Sequence, residues 1–427
     1  MINRAAWLQL ICLCLGGVAL LPAQVEFHGD VYPLARVSFE QRYLSLPHRL
    51  LTLEGTRRGA GVSLFFSTAL EYRLGENTAT LDLREAYTEV ATNLGDLRVG
   101  KQIIAWGAAD GNNPTDNVSP YDFYYLFLPG TERKLGNLAA SANLYLGTVN
   151  LEAVLTPVFQ PNRLPLNEPD FPVLPTATGL SDYSERRPAR IVGNSEWGIR
   201  AGLPMAAMDL SLSYFRGFDR MLSPQFDTLP GGGLYLKAVV YSPTQVMGAD
   251  VVFFLGNWGL RAEGAYILTE DREGTDPVLR NPYLQYVLQV DRAGSDASLM
   301  VQYLGTTISL IDEVDVFNPP EGTFTERENE YDHIPPKMGM PFAAIAQNAL
   351  LAAASYDFAD GRYSLQANAL YELDHQGYML GGRLVIALED AFDLEAGITY
   401  LGGSDESRLS AIGEVFSHVY LGLRYSF

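Results

Sequence analysis

In Val62-Ser63-Leu64-Phe65-Phe66-Ser67-Thr68-Ala69-Leu70-Glu71-Tyr72-Arg73-Leu74 the residues alternate in character. The even positions hold Val62, Leu64, Phe66, Thr68, Leu70, Tyr72 and Leu74, and the odd positions hold Ser63, Phe65, Ser67, Ala69, Glu71 and Arg73. Successive side chains of a strand point to opposite faces, so this period of two makes one face apolar and the other polar. The same alternation recurs at 208–214, 258–266, 284–290, 297–303, 363–371, 378–388, 392–400 and 415–427. Each segment runs to about 9–13 residues, the length that crosses a bilayer when tilted, whereas soluble strands average about 5–6.

Turn residues separate many of these segments, as in Gly75-Glu76-Asn77, Asn93-Leu94-Gly95-Asp96, Ala359-Asp360-Gly361 and Glu389-Asp390. These are hairpin signals. The expected fold is therefore all-β, a transmembrane antiparallel barrel of about 16–18 strands in a single domain. Longer connections are read at 45–60, 107–135, 159–195, 217–230 and 305–342. Such barrels keep short turns on one side and long loops on the other. Counting back from the C-terminus puts 217–230, 159–195 and 107–135 on the short-turn side, which places a merged or split strand between 217 and 245.

The ends of the chain agree with this reading. Arg4 precedes an apolar run from Ala5 to Leu21, followed by Pro22, Ala23 and Gln24. A short charged start, an apolar core and a small residue at the cut describe a cleaved secretory leader over residues 1–23, with the barrel over 24–427. Ile11 and Leu13 stand before Cys12 and Cys14, where lipid attachment wants a small residue. Both cysteines fall inside the leader, so the exported chain has no disulfide and no thiolate. At the other end Val419, Leu421, Leu423, Tyr425 and the terminal Phe427 share one face. This resembles the closing strand that the barrel-insertion machinery of the bacterial outer membrane recognises. The formal charge of −20 argues against nucleic-acid partners.

The run Leu97-Arg98-Val99-Gly100-Lys101-Gln102-Ile103-Ile104-Ala105-Trp106-Gly107, followed by Asn113-Pro114-Thr115-Asp116, resembles a group of porin-like outer-membrane barrels of largely unassigned function. They are similar in style to alginate-export barrels. Leu81-Asp82-Leu83-Arg84-Glu85-Ala86-Tyr87 looks like the strand that pairs with it. The resemblance implies a channel in outer-membrane lipid that passes small solutes, and it implies no particular ligand or oligomeric state.

A barrel in lipid turns its apolar parity outward and its polar parity inward. That assigns Arg36, Glu71, Arg73, Glu152, Arg200, Lys237, Arg261, Glu263, Gln285, Gln289, Gln302, Glu372, Arg383, Asp393, Glu395 and Arg424 to the lumen. Both signs of charge are present, which suits a weakly selective aqueous path or a set of ion pairs bracing a plug. The expected constriction is the connection 107–135. It carries Asp110, Asn112, Asn113 and Asp116, then Tyr121, Phe123, Tyr124, Tyr125 and Phe127, then Glu132, Arg133 and Lys134. Its aromatics would be costly in water, and folding the loop inward buries them. Asp110 to Asp116 spaces oxygen ligands like a calcium loop but lacks the closing glutamate.

The acidic run with Asp312, Glu313, Asp315, Glu326, Glu328 and Glu330 reads as an external loop. Catalysis has little support. His28 and His418 lie in no nucleophile motif, Asp393 and Glu395 merely share a face, and there is no phosphate loop or zinc spacing. No cofactor is expected.

Overall fold

A computed structural model describes residues 24–40, 42–166, 168–171, 184–190, 192–228, 234–273, 280–308 and 341–427. The leader expected at 1–23 and the acidic run at 309–340 lie outside the described residues.

The chain forms β1 (Gln24–Val31), β2 (Leu34–Ser38), β3 (His48–Arg58), β4 (Val62–Arg73), β5 (Thr78–Thr92), β6 (Gly95–Gln102) and β7 (Asn137–Leu146). It continues with β8 (Val149–Thr156), β9 (Ser184–Arg186), β10 (Glu196–Pro204), β11 (Met208–Phe218), β12 (Ser223–Thr228), β13 (Leu234–Val240) and β14 (Pro243–Leu255). Then come β15 (Trp258–Leu268), β16 (Tyr283–Ala293), β17 (Ala297–Ile308), β18 (Asn348–Phe358), β19 (Tyr363–Glu372), β20 (Tyr378–Glu389), β21 (Phe392–Gly402), helix α1 (Arg408–Phe416) and β22 (His418–Ser426).

All but β9, β12 and β13 belong to one antiparallel sheet that closes on itself. Pro33 interrupts the first strand, and both halves, β1 and β2, pair with β22. The barrel thus has eighteen strands, within the even-numbered range of bacterial barrels. Gly29 and Phe427 exchange backbone hydrogen bonds of 3.0 and 2.9 Å at the seam. Closure leaves no unpaired edge, which a sheet in hydrocarbon cannot tolerate.

The apolar parity faces outward as expected. Leu81, Val99, Leu212, Leu288, Leu365 and Leu421 are exposed on the outer wall. Aromatic rings ring the short-turn end. Tyr356, Phe358 and Tyr363 stack at 5.9 and 5.0 Å, and Phe392, Tyr425 and Phe427 at 4.7 and 5.9 Å. A second girdle with Trp197–Tyr214, Tyr286–Tyr303 and Tyr378–Tyr400 marks the loop end. Two such girdles are what a bilayer's interfaces select.

Two strand readings need correction. The hairpin β12–β13 is not part of the wall. It pairs with β9 in a separate three-stranded sheet made by two loops. Taking its alternation for a barrel strand flips the side of every connection before it, which accounts for the conflict located at 217–245. Conversely, the connection read at 45–60 contains β3, a wall strand. A β-bulge between Arg49 and Leu51 shifts its register, so Arg49 faces inward before it and Thr52 and Glu54 after it. A strict period of two cannot see such a strand. With both changes, every long connection lies at one end, and the other end carries short turns alone.

Candidate functional site: a loop folded into the lumen

Between β6 and β7 the chain runs inward, and two ends of this loop dock on opposite walls. β4 is the third wall strand and β16 the twelfth, so they face each other across the ring. On the β15–β17 side, Glu263 is the anchor. Its carboxylate accepts hydrogen bonds from the amides of Ala108, Ala109 and Thr115 (2.9, 3.2 and 2.9 Å), from Thr115 Oγ1 (2.7 Å) and from Asn113 Nδ2 (3.1 Å). Gly107 makes the approach possible. Its φ is +102°, and a Cβ there would lie 2.6 Å from Glu263 Oε2. Gln289 accepts from the Asp110 amide (2.8 Å) and donates to its carboxylate (2.6 Å), while Gln302 accepts from Asn112 Nδ2 (3.0 Å).

On the β3–β5 side, Arg49 and Arg84 both bind Glu132, and Arg84 also donates to the Thr131 carbonyl (3.0 Å). Arg163, from the connection after β8, joins Glu71 at 2.9 Å and Asp122 at 3.0 Å. Arg73 pairs with Glu168 at 2.9 Å, and the guanidinium groups of Arg73 and Arg163 lie over the Tyr124 ring at 5.2 and 4.8 Å. Within the loop, Lys134 meets Asp116 at 2.7 Å, both fully buried. Burial lowers the Lys134 ammonium to about 8 against the pull of Asp116. Burial likewise raises the Asp122 carboxyl to about 6, opposed by Arg163.

Above the loop, Phe127 touches Phe171, Phe342 and Phe416 with centroids 5.8, 5.8 and 5.7 Å away. Phe416 ends α1, whose Leu409 and Ile412 are also buried. Side chains from several loops therefore meet as one apolar cluster at the loop end of the barrel. Beneath it lies a cavity of about 1170 Å³ that extends past Arg383, Glu395 and Arg424 to Asp30 and His28.

The residues expected in the lumen from parity and in the constriction loop divide into two groups. Arg36, Asp110, Asp116, Tyr124, Arg383, Glu395 and Arg424 line this cavity. Glu71, Arg73 and Glu263 instead hold the loops, Arg200 pairs with Asp250, and Arg261 joins Asp291 (2.9 Å) and the Ala108 carbonyl (2.9 Å). Lys237 is corrected outright. It sits on β13 in the loop sheet, because the hairpin's alternation mimics a wall strand. Arg49 and Arg84 were missed. Arg49 lies at the bulge of β3, and Arg84 is the residue that β5 loops out opposite Ser67 and Thr68.

Comparison with solved structures finds the same architecture. Pseudomonas aeruginosa OccK5 (OpdH) superposes with a TM-score of 0.51 at 10% identity, covering 95% of this chain and 97% of that one. OccK11 (OpdR) from the same organism gives 0.52 at 10%, covering 95% and 96%. The outer membrane protein opdK of P. aeruginosa gives 0.52 at 9%, covering 95% and 99%. At such identities the likeness establishes the fold, that of an outer-membrane porin barrel. No curated protein matches in sequence. Residues 67–394, most of the chain including the inward loop and all of its anchors but Arg49, match the family described as a protein of unknown function (DUF1302), and the chain belongs to that family.

Proposed function

We propose that the protein is an outer-membrane channel through which small hydrophilic or amphipathic solutes diffuse down their gradient, with no cofactor and no bond chemistry. One observation carries this reading. The loop 103–136 is pinned to two opposite walls and leaves beside it a cavity of about 1170 Å³ lined by charged, polar and apolar side chains. A structural barrel needs no such cavity, and an enzyme would need a reactive constellation that the lumen carboxylates do not form, since Glu395 is held by Arg383 and Arg424. Arg36, Asp110, Asp116, Tyr124, Arg383, Glu395 and Arg424 are the proposed lining. Export by the 1–23 leader and assembly through the strand ending at Phe427 belong to the same proposal.

A selective, gated version of this channel, suited to aromatic solutes, has the Phe127–Phe171–Phe342–Phe416 cluster in its favour. Aromatic rings at a mouth attract aromatic surfaces and resist bare ions. Single-channel recording in a planar bilayer tests both. Ohmic steps that grow when 112–134 is deleted support the channel and its constriction. Silence from folded native and deleted protein alike overturns the reading.

A further inference from the structure

The arginines of the lumen are almost all neutralised. Arg49 and Arg84 share Glu132, Arg383 and Arg424 share Glu395, Arg200 has Asp250, and Arg261 has Asp291. Arg36 is different. Among the described residues no carboxylate pairs with it, although it lines the cavity. Across the β2–β22 seam it stands in register with Tyr420, whose ring covers Gly397, and Gly397 is in register with Arg383. Its electrostatic neighbours are the hydroxyl groups of Tyr32, Tyr125 and Tyr420 and the rings of His48 and His418.

Two of those neighbours are also short of partners. His48 and Tyr125 are each only 4% exposed and both line the same cavity; His48 Nε2 makes no hydrogen bond, and the Tyr125 hydroxyl makes none of full geometry, with the Glu71 carboxylate beside it. A buried polar atom without a partner costs free energy that folding had to offset elsewhere. Arg36 is half-buried, and a partly desolvated cation without a counter-charge adds to that cost. Three such groups on one cavity are satisfied together by one ligand that brings negative charge and accepts hydrogen bonds. His418 does not compete, because its Nδ1 is engaged with the Phe416 carbonyl at 2.6 Å. Glu395, the acid beside Tyr32, is already held by Arg383, Arg424 and the Tyr32 hydroxyl, and Glu71 and Asp122, the acids beside Tyr125, are held by Arg163.

The rest of the cavity wall says what the ligand's body is. Leu46, Phe127, Phe342, Met379 and Phe416 line it, and all but Phe127 are buried in the apolar cluster over the lumen. We infer that Arg36, His48 and Tyr125 form a binding site for an organic monoanion whose apolar body lies against Phe127, Phe342 and Phe416. This rests on the channel reading for its physiological meaning, because it names the class of solute the channel would hold in transit. The binding itself does not depend on conduction.

Calorimetric titration of the detergent-solubilised barrel tests it, with 3-phenylpropionate, uncharged 3-phenylpropanol and acetate as probes. The acid should bind at least about tenfold more tightly than the alcohol, the margin of one charge-assisted contact in a desolvated site. It should also bind more tightly than acetate, which lacks the body. Arg36→Gln should erase the acid's advantage, and Arg36→Lys should keep most of it. Equal affinity for acid and alcohol in the native protein, or an advantage that survives Arg36→Gln, overturns the site. Should Arg36→Gln fail to assemble, the native comparison and Arg36→Lys still decide. Potassium chloride conductance, measured separately, isolates the two claims. Binding without conduction overturns only the channel, and conduction without charge-selective binding overturns only the site.

Discussion

Replacing Glu263 by alanine would take away the acceptor of five hydrogen bonds that dock the inward loop on β15. Bonds to a charged group contribute roughly 1.5–3 kcal/mol each. They do not add fully, and the space left by the carboxylate would admit water that re-satisfies some donors. If the equivalent of two bonds is lost, docking weakens by about 4 kcal/mol, close to a thousandfold in the docked-to-undocked ratio. Gln289 and Gln302 would still tether Asp110 and Asn112, so the loop would detach in part and return. Single-channel records of Glu263→Ala should therefore flicker between the native level and the larger level of the 112–134 deletion. Glu263→Gln, which keeps one acceptor oxygen, should flicker less. Native-like steady conductance from a folded Glu263→Ala barrel would refute the anchoring argument.

Gly107→Ala should lower the melting temperature and mimic part of that phenotype, because a Cβ at φ +102° meets Asn113 and Glu263; a cost of about 2 kcal/mol or more is expected. Acid should tighten the loop. With its carboxyl raised to about 6 against an unfolded value near 4, Asp122 contributes stability that is complete below about pH 4 and lost as pH rises through 6, up to roughly 3 kcal/mol. Melting curves of the native protein and Asp122→Asn between pH 4 and 7 check this, and parallel curves would contradict it. Glu395→Gln should leave Arg383 and Arg424 without their shared acid, so the reversal potential in a salt gradient should move toward anion preference; an unchanged potential would remove this pair from the conducting path.

The wall of this barrel was legible in the chain because its physics is local. Lipid outside and water inside impose a period of two on every spanning strand, and Val62–Arg73, Tyr363–Glu372 and Phe392–Gly402 carry it without interruption. Where the pattern misled, a local irregularity had broken it or a non-spanning hairpin had copied it. The bulge in β3 hid Arg49 inside an apparent loop. The β12–β13 hairpin alternates as a wall strand does, but it pairs with β9, more than thirty residues earlier in the chain.

The inward loop shows the boundary between the two kinds of information. Its composition alone, aromatics among acids and amides, was enough to expect burial between 107 and 135. That Glu263 would be its anchor, that Glu132 would reach Arg49 and Arg84, or that Arg163 would bridge Glu71 and Asp122 was not readable. Parity says only that a side chain faces the lumen. Whether it lines an open path or clamps a loop depends on which residues far away in the chain meet it across the ring. The sequence by itself determined the spanning strands, the inward and outward faces and the existence of a buried connection, because the bilayer acts on each strand separately. Only the tertiary structure decided which lumen charges are paired and that Arg36 is left without a carboxylate among the described residues, because that depends on the closure of eighteen strands around one cavity.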